Sequence, residues 1–167
     1  MDRKLTSLEV IGIAIRSEEN AAKFYAHISK IIDNELISTI YQHLAKEEGN
    51  HKKTLVNLYK KMSGTEESPP RIPGEPDTAE GGPIPEEIAD SLEDLLKLAI
   101  QREKKARDFY AKAASHATDP SGERIFQYLA DVEKGHESML KKELEAFLLD
   151  TDWYTGKGHV EMMHVGP

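Results

Sequence analysis

The 167-residue sequence predicts an all-α protein, a four-helix bundle made of two duplicated helical hairpins that a long crossover linker joins. Two strings repeat with one offset of 85 residues: AIRSEENAAKFY (14–25) aligns with AIQREKKARDFY (99–110), and IYQHLAKEEGNH (40–51) with IFQYLADVEKGH (125–136). Between the copies, residues 63–85 contain six of the eight prolines and four of the eleven glycines, so no helix or strand is expected there. Two copies are too few for a solenoid, whereas two hairpins that pair face to face form a four-helix bundle.

Apolar periodicity and capping residues predict where the four helices begin and end. Thr6 and Glu9 have the spacing of a capping box, and the first helix is expected to extend to about Ile32. Gly64 is suited to end the second helix, and Pro120 to the first turn of the fourth. The residues expected to cap the N-termini are, in chain order, Thr6, Asp33 or Asn34, Ser91 and Asp119.

The chain length is sufficient for one domain with a substantial core. We therefore assign residues 1–149 to the bundle, with its crossover linker at 63–90. Residues 150–167 are expected to form a loose or partly ordered tail, in which Trp153 and Tyr154 pack on the bundle or on another subunit.

Composition excludes several classes of function. The net charge is −8 and no lysine- or arginine-rich block is present, so no nucleic-acid partner is expected. The longest apolar stretch, residues 10–15, is too short to span a bilayer and lacks the features of a secretory signal, so we expect no membrane partner and a cytoplasmic location. The chain has no cysteine, so any metal must be bound through oxygen and imidazole nitrogen.

Each predicted helix carries a glutamate in the middle of its apolar stripe, where a bundle core ordinarily has leucine. On the second and fourth helices a histidine follows three residues later, on the same helix face. Four buried carboxylates would cost several kcal/mol each without compensation, whereas two divalent cations would neutralise them. Oxygen and nitrogen ligands suit two iron ions, with manganese as an alternative. The predicted ligands are Glu18, Glu48, His51, Glu103, Glu133 and His136.

The 85-residue repeat is what makes this pattern specific, because a Glu-x-x-His match alone is common. Glu161 and His164 form a third such match, which we interpret as accidental. Glu47 is an alternative to Glu48 as a ligand, but it aligns with Val132, so the repeat favours Glu48. The neighbouring positions Glu19 and Glu47 are expected to face solvent or a bundle edge. The histidines without a matched partner, interpreted as surface or core residues, are His27, His43, His116, His159 and His164.

Tyr25 and Tyr110 each lie two helical turns after a predicted ligand glutamate. They are predicted either to hydrogen-bond ligands across the bundle and tune the metals, or to be ordinary core tyrosines.

These motifs resemble those of the rubrerythrins and their ferritin-like relatives. The resemblance rests on IRSEENAAKFY, the two Glu-x-x-His helices and the linker, and it covers the chain to about residue 149. It implies a ferritin-like bundle with a di-iron site on the six residues above. Rubrerythrins also carry a four-cysteine rubredoxin module, which a chain without cysteine cannot contain. They place a further carboxylate where this sequence has Ala106, so a symmetric six-ligand set is expected.

The resemblance implies an oxidoreductase that reduces peroxide or dioxygen, as in the response to oxidative stress, with electrons from an external donor such as a rubredoxin. One alternative is a ferritin-like ferroxidase that handles Fe(II) as its substrate. Another is a non-catalytic helical interaction module. A homo-oligomer such as a dimer is expected in each case.

Overall fold

The computed structural model describes residues 5–71 and 91–157, and within these ranges it contains five α-helices and no strand. The helices are α1 (Ser7–Lys30), α2 (Glu35–Ser63), α3 (Leu92–His116), α4 (Pro120–Leu149) and α5 (Thr151–Thr155). The predicted all-α, ferritin-like bundle is confirmed. Across the described ranges, no helix combines the length and the apolar character needed to cross a membrane.

The predicted caps define the first hairpin. The Thr6 side chain accepts from the Glu9 backbone N–H at 3.2 Å, and the Glu9 carboxylate accepts from the Thr6 backbone N–H at 2.9 Å, which completes the capping box. Asn34, one of the two candidates, caps α2, and Gly64 ends it with a φ of 70°. The first helix ends at Lys30, slightly earlier than predicted.

The second hairpin begins with the same kind of signals. Ser91 Oγ accepts from the Asp94 backbone N–H at 3.3 Å at the start of α3. Asp119 accepts from the Gly122 backbone N–H at 2.9 Å, and Pro120 occupies the first turn of α4, where its missing N–H costs nothing.

The two hairpins, α1–α2 and α3–α4, pack head to tail. One apolar cluster joins Ile28 and Ile37, near the closed end of the first hairpin, to Leu92 and Phe147, at the open end of the second. The other joins the opposite ends, and its members include Ile11, Leu58, Ala114 and Phe126. The predicted Glu and His ligands lie between the two clusters.

The end of α2 and the start of α3 lie in opposite clusters, at opposite ends of the bundle. The connection between them begins with residues 64–71. Its first residues pack on α1, where Arg16 Nη1 donates to the Pro69 carbonyl at 3.4 Å. A Cβ at Gly12 would lie 2.9 Å from Pro69 Cβ, so this contact requires a glycine. Residues 72–90 of the predicted linker lie outside the described residues.

The first part of the segment after α4, which was predicted to be loose or partly ordered, forms α5 and docks on the bundle. Tyr154 is fully buried, and the Asn34 side-chain amide donates to the Trp153 carbonyl at 2.9 Å. Gly156 follows with a φ of 85°, and a Cβ there would lie 2.7 Å from the Asn34 backbone nitrogen. Residues 158–167 lie outside the described residues.

The Gly12→Ala substitution is expected to detach the start of the linker from α1, because the added methyl collides with Pro69. The melting temperature should change little, since the helix-propensity gain of about 1 kcal/mol offsets the lost contact. Cleavage by a glutamate-specific protease at Glu66 and Glu67 should become faster. Gly135→Ala is the control, because a Cβ there meets open space. Equal cleavage of Gly12→Ala and wild type would contradict the packing described.

Candidate metal centre

The structure brings all six predicted ligands together in the layer between the two apolar clusters. The four glutamates are fully buried and the two histidines are 7% exposed. The imidazole rings of His51 and His136 stack with centroids 6.0 Å apart. The head-to-tail packing explains this convergence, since it places the midpoints of all four helices in one layer. That these six side chains bind metal remains a prediction.

The six side chains form two overlapping groups, and in each the potential ligand atoms lie within 4.8 Å of one another. Each group takes one histidine and one glutamate of its own, and both groups share Glu48 and Glu133. Both groups therefore depend on the same two carboxylates. The first group is Glu18, Glu48, His51 and Glu133, and the second is Glu48, Glu103, Glu133 and His136.

The histidines direct Nδ1 toward the carboxylates. His51 Nδ1 lies 3.0 Å from Glu48 and 3.6 Å from Glu18. His136 Nδ1 lies 3.0 Å from Glu133 and 3.6 Å from Glu103. The near-equal distances show that the repeat in the sequence becomes an approximate two-fold symmetry of the site.

The donor set fits a pair of divalent cations. Several buried polar atoms in the layer have no hydrogen-bond partner, although buried polar groups in proteins are nearly always satisfied. Hard carboxylate oxygens combined with imidazole nitrogen suit iron or manganese. The unpartnered atoms are Glu18 Oε2, Glu48 Oε1, Glu103 Oε2, both carboxylate oxygens of Glu133, and His136 Nδ1.

Two tyrosines bind the unshared glutamates across the bundle. The Tyr25 hydroxyl donates to Glu103 Oε1, and the Tyr110 hydroxyl donates to Glu18 Oε1. Each bond occupies Oε1 of its carboxylate and leaves Oε2 without a hydrogen-bond partner. The hydrogen bonds across the bundle are present, and that these tyrosines tune a metal stays a prediction.

Without metal, the layer holds protons strongly. Burial raises the pKa of Glu18 to about 8, and the charge of Glu48 adds to this effect while the nearby His51 imidazole opposes it. Burial raises the pKa values of Glu48 and Glu133 as well. Burial by itself lowers the pKa of His136, but the nearby carboxylates of Glu103, Glu133 and Glu48 outweigh it and raise that pKa.

Glu47 lies closer to the site than the sequence suggested. It occupies the bundle edge as predicted, half-exposed, but its Oε2 lies 3.4 Å from His136 Nε2 and 3.3 Å from His43 Nδ1. A carboxylate on the outer nitrogen of a ligand imidazole orients the ring and raises its basicity. The equivalent residue in the other half is Val132, so the repeat predicted no role for Glu47 at the site.

The remaining candidates lie elsewhere or outside the described residues. Glu19 is an outward-facing residue whose pKa is lowered to about 2 by hydrogen bonds with Lys23 and Lys52. His116 is exposed near the end of α3 and hydrogen-bonds the Lys112 carbonyl. The other predicted non-ligands that fall outside the described ranges are His159, Glu161 and His164.

The rubrerythrin family model matches residues 9–144, which include all six converging side chains. The chain belongs to the rubrerythrin family. The match ends close to the predicted domain boundary at residue 149. No match was found among curated proteins.

Two solved structures resemble this rubrerythrin-family chain. A hypothetical protein from Pyrococcus furiosus is 30% identical, with a TM-score of 0.72, and the match covers 87% of this chain and 92% of that one. An uncharacterized conserved protein from Magnetospirillum magnetotacticum MS-1 is 20% identical, with a TM-score of 0.67, and the match covers 85% and 95%. The second likeness shows the fold alone.

The metal-free rubrerythrin-family domain is expected to lose stability as pH rises from about 4.5 to about 8. Glu18 has a higher pKa in the folded protein, about 8, than its ordinary 4.5. Its bound proton therefore contributes its full stability below the ordinary pKa of 4.5, and this contribution is lost as pH rises through the folded-state pKa of about 8. We expect a loss on the order of a few kcal/mol.

The measurement is the melting temperature of the metal-free protein at both ends of this window, repeated after Fe(II) is added without oxygen. Metal replaces the protons and binds better as pH rises, so the loaded protein should show no such loss. Equal pH slopes with and without metal would refute this account of the layer.

The Glu47→Gln substitution is expected to weaken one of the two metal-binding steps by about 10–100-fold, because His136 loses the carboxylate on its outer nitrogen. The step that involves His51 should be unchanged. An anaerobic Co(II) titration followed by visible absorption resolves the two steps. Glu145→Gln, an exposed glutamate on α4, is the charge-matched control. An unchanged titration would show that Glu47 does not act on His136.

Proposed function

We propose that this rubrerythrin-family protein is a non-haem di-iron oxidoreductase that reduces peroxide or dioxygen. Reduction of one hydrogen peroxide to two waters takes up two electrons and two protons. The electrons are proposed to come from an external one-electron donor such as a rubredoxin.

The observation that supports this proposal is the set of unpartnered buried ligand atoms at the centre of the bundle. A structural role alone would be served better by apolar side chains, because replacing buried charges with well-packed hydrophobic residues is often stabilising. Four carboxylates in this layer reduce the stability of the metal-free fold, which favours a chemical role for them. The family match over residues 9–144 points to the same class of site.

The residues of the chain have distinct roles in this proposal. When bound, a pair of iron ions supplies two electrons and Lewis acidity to the oxygen substrate. Glu48 and Glu133 would be shared by both ions, whereas each histidine belongs to one group. The Tyr25 and Tyr110 hydroxyls hold the unshared carboxylates. The apolar clusters on both sides keep bulk water from the layer, which strengthens its electrostatic interactions.

Ferroxidase activity, with Fe(II) as the substrate, is the second candidate. Two observations favour it. The half-exposed Glu47, beside His43, provides oxygen and nitrogen atoms at the edge of the layer, next to His136. The buried Ala106 leaves the six-residue set symmetric, without the further carboxylate of other rubrerythrins.

The Glu133→Gln variant is expected to lose peroxide consumption, because Glu133 belongs to both groups. The stability of the metal-free variant should not decrease, since the change removes one of four mutually repelling carboxylates. The assay is anaerobic reduction of the iron-loaded protein followed by addition of hydrogen peroxide, with NAD(P)H-linked turnover through added rubredoxin. Glu145→Gln serves again as the control and should behave like wild type.

Addition of Fe(II) in air distinguishes the two candidates. A ferroxidase oxidises many equivalents of Fe(II) per protein, whereas a peroxide reductase stops near the two ions that its site binds. Wild-type protein that neither consumes peroxide nor oxidises Fe(II) would refute both proposals.

A further inference from the structure

A row of aromatic side chains connects the candidate metal centre to the surface at one end of the bundle. Tyr25, whose hydroxyl donates to Glu103, stacks on Tyr41 with ring centroids 6.5 Å apart and an interplanar angle of 28°. The Tyr41 and Tyr154 hydroxyl oxygens are 2.8 Å apart, and Tyr154 contacts Glu143 Oε2 at 2.8 Å. Every step from Glu103 to Glu143 is therefore a ring contact or a hydrogen bond, and Trp153 adjoins Tyr154 in the chain.

The row passes from the buried interior to an exposed residue. Tyr25, Tyr41 and Tyr154 are at most 1% exposed. The next residue after Tyr154 toward α4 is Trp153, which is 45% exposed and is the chain's one tryptophan. Glu143, at the end of the hydrogen bonds, is half-buried on α4.

The hydrogen bonds have one direction. The Tyr154 hydroxyl has a single proton, and it donates that proton to the Glu143 carboxylate. Tyr154 can therefore only accept from Tyr41, so Tyr41 donates to Tyr154. Burial raises the pKa values of both phenols above their ordinary 10, so both stay protonated at neutral pH. A proton released by Tyr41 has a path outward, while its ring stacks on Tyr25.

The other half of the bundle has no such path. Tyr110 stacks in the same way, with centroids 6.2 Å apart, but on Phe126, which occupies the position equivalent to Tyr41. Phenylalanine has no hydroxyl group and is far harder to oxidise than tyrosine. The two halves can therefore be compared directly, because the same stacking arrangement ends at an oxidisable tyrosine in one and at a phenylalanine in the other.

We propose that Tyr25, Tyr41 and Tyr154 form a one-electron relay that connects the metal centre to the surface at Trp153, with Glu143 as the proton acceptor. This inference rests on the proposed oxidation chemistry, with hydrogen peroxide as the oxidant.

Tyr25 and Tyr41 each give up one electron and one proton. The two electrons break the O–O bond of hydrogen peroxide, which takes up two protons and forms two waters. The Tyr25 proton enters the layer through Glu103. The Tyr41 proton moves to Tyr154 and the Tyr154 proton moves to Glu143, so solvent supplies the second proton for the waters.

The relay would protect the ligands. When the external donor is slow, an oxidising equivalent left in the layer would otherwise attack the ligand imidazoles or carboxylates. Instead, an electron from Tyr154 reduces the tyrosyl radical nearer the centre. An electron from Trp153 then reduces the radical left on Tyr154. A soluble one-electron reductant such as ascorbate then restores the indole at the surface.

The first experiment uses metal-free protein, so its result is independent of the iron chemistry. A flash-generated one-electron oxidant in solution oxidises Trp153, and transient absorption follows the indole radical. We expect it to convert to a tyrosyl radical in wild type and in Tyr59→Phe, a buried tyrosine of α2 outside the relay. The conversion should be lost in Tyr154→Phe. Conversion at the wild-type rate in Tyr154→Phe would overturn the relay.

The second experiment adds hydrogen peroxide to reduced, iron-loaded protein and uses freeze-quench EPR and peptide mass spectrometry. Oxidised Trp153 is expected in wild type and absent in Tyr41→Phe, which reproduces the phenylalanine of the other half. Gly156→Ala, which undocks α5 without altering a tyrosine, should also lose it. Metal content and circular dichroism check that each variant is folded and loaded.

The outcomes separate the two proposals. Wild type that consumes peroxide without oxidising Trp153, or a Tyr41→Phe variant that oxidises it as wild type does, would overturn the relay. Wild type that consumes no peroxide would overturn the proposed function, and the metal-free experiment would then decide the relay alone. A merely structural role for the Tyr41–Tyr154 hydrogen bond would lower the melting temperature without changing where oxidation occurs.

Discussion

The burial of four carboxylates and two imidazoles in one layer is the constraint on which the structure depends. The layer interrupts what would otherwise be a continuous hydrophobic core and leaves two apolar clusters, one on each side. The free energy of folding must therefore come from these clusters, while the layer opposes folding until its charge is balanced by protons or by metal. The raised pKa of Glu18 shows that, without metal, protons take this role.

The fold was predictable because its signals are local or repeated. Capping residues such as Thr6 and Asp119 bond to backbone groups only a few residues away. The apolar stripe of a helix can be recognised without knowing which helix it packs against. The candidate site was predictable for a different reason. Internal duplication supplied a second copy for each buried polar residue, so Glu48 was distinguished from Glu47 by its counterpart Glu133. That these residues bind metal is inferred from the chemistry of their carboxylate and imidazole groups, which the fold brings together.

What sequence reasoning missed is non-local and present in one copy. Sequence reasoning left open whether Tyr154 packs on the bundle or on another subunit, because its docking depends on Tyr41, which lies far away in the chain. The linker contact depends on the absence of a side chain at Gly12, which carries no periodic signal. The carboxylate of Glu47 meets His136 across the bundle, although its own repeat partner is apolar. None of these features leaves a pattern that spacing can detect.

These single-copy features share a consequence, since they make two nearly identical half-sites unequal. His136 has a carboxylate near its outer nitrogen, and the residue equivalent to Glu47 beside His51 is Val132. Tyr25 stacks on a tyrosine and Tyr110 on a phenylalanine. A duplicated hairpin begins with equal halves, and inequality can then arise by single substitutions that leave the shared ligands in place. In the proposed function, an unequal pair would allow one side of the layer to exchange electrons with the surface while the other side would only hold its ion.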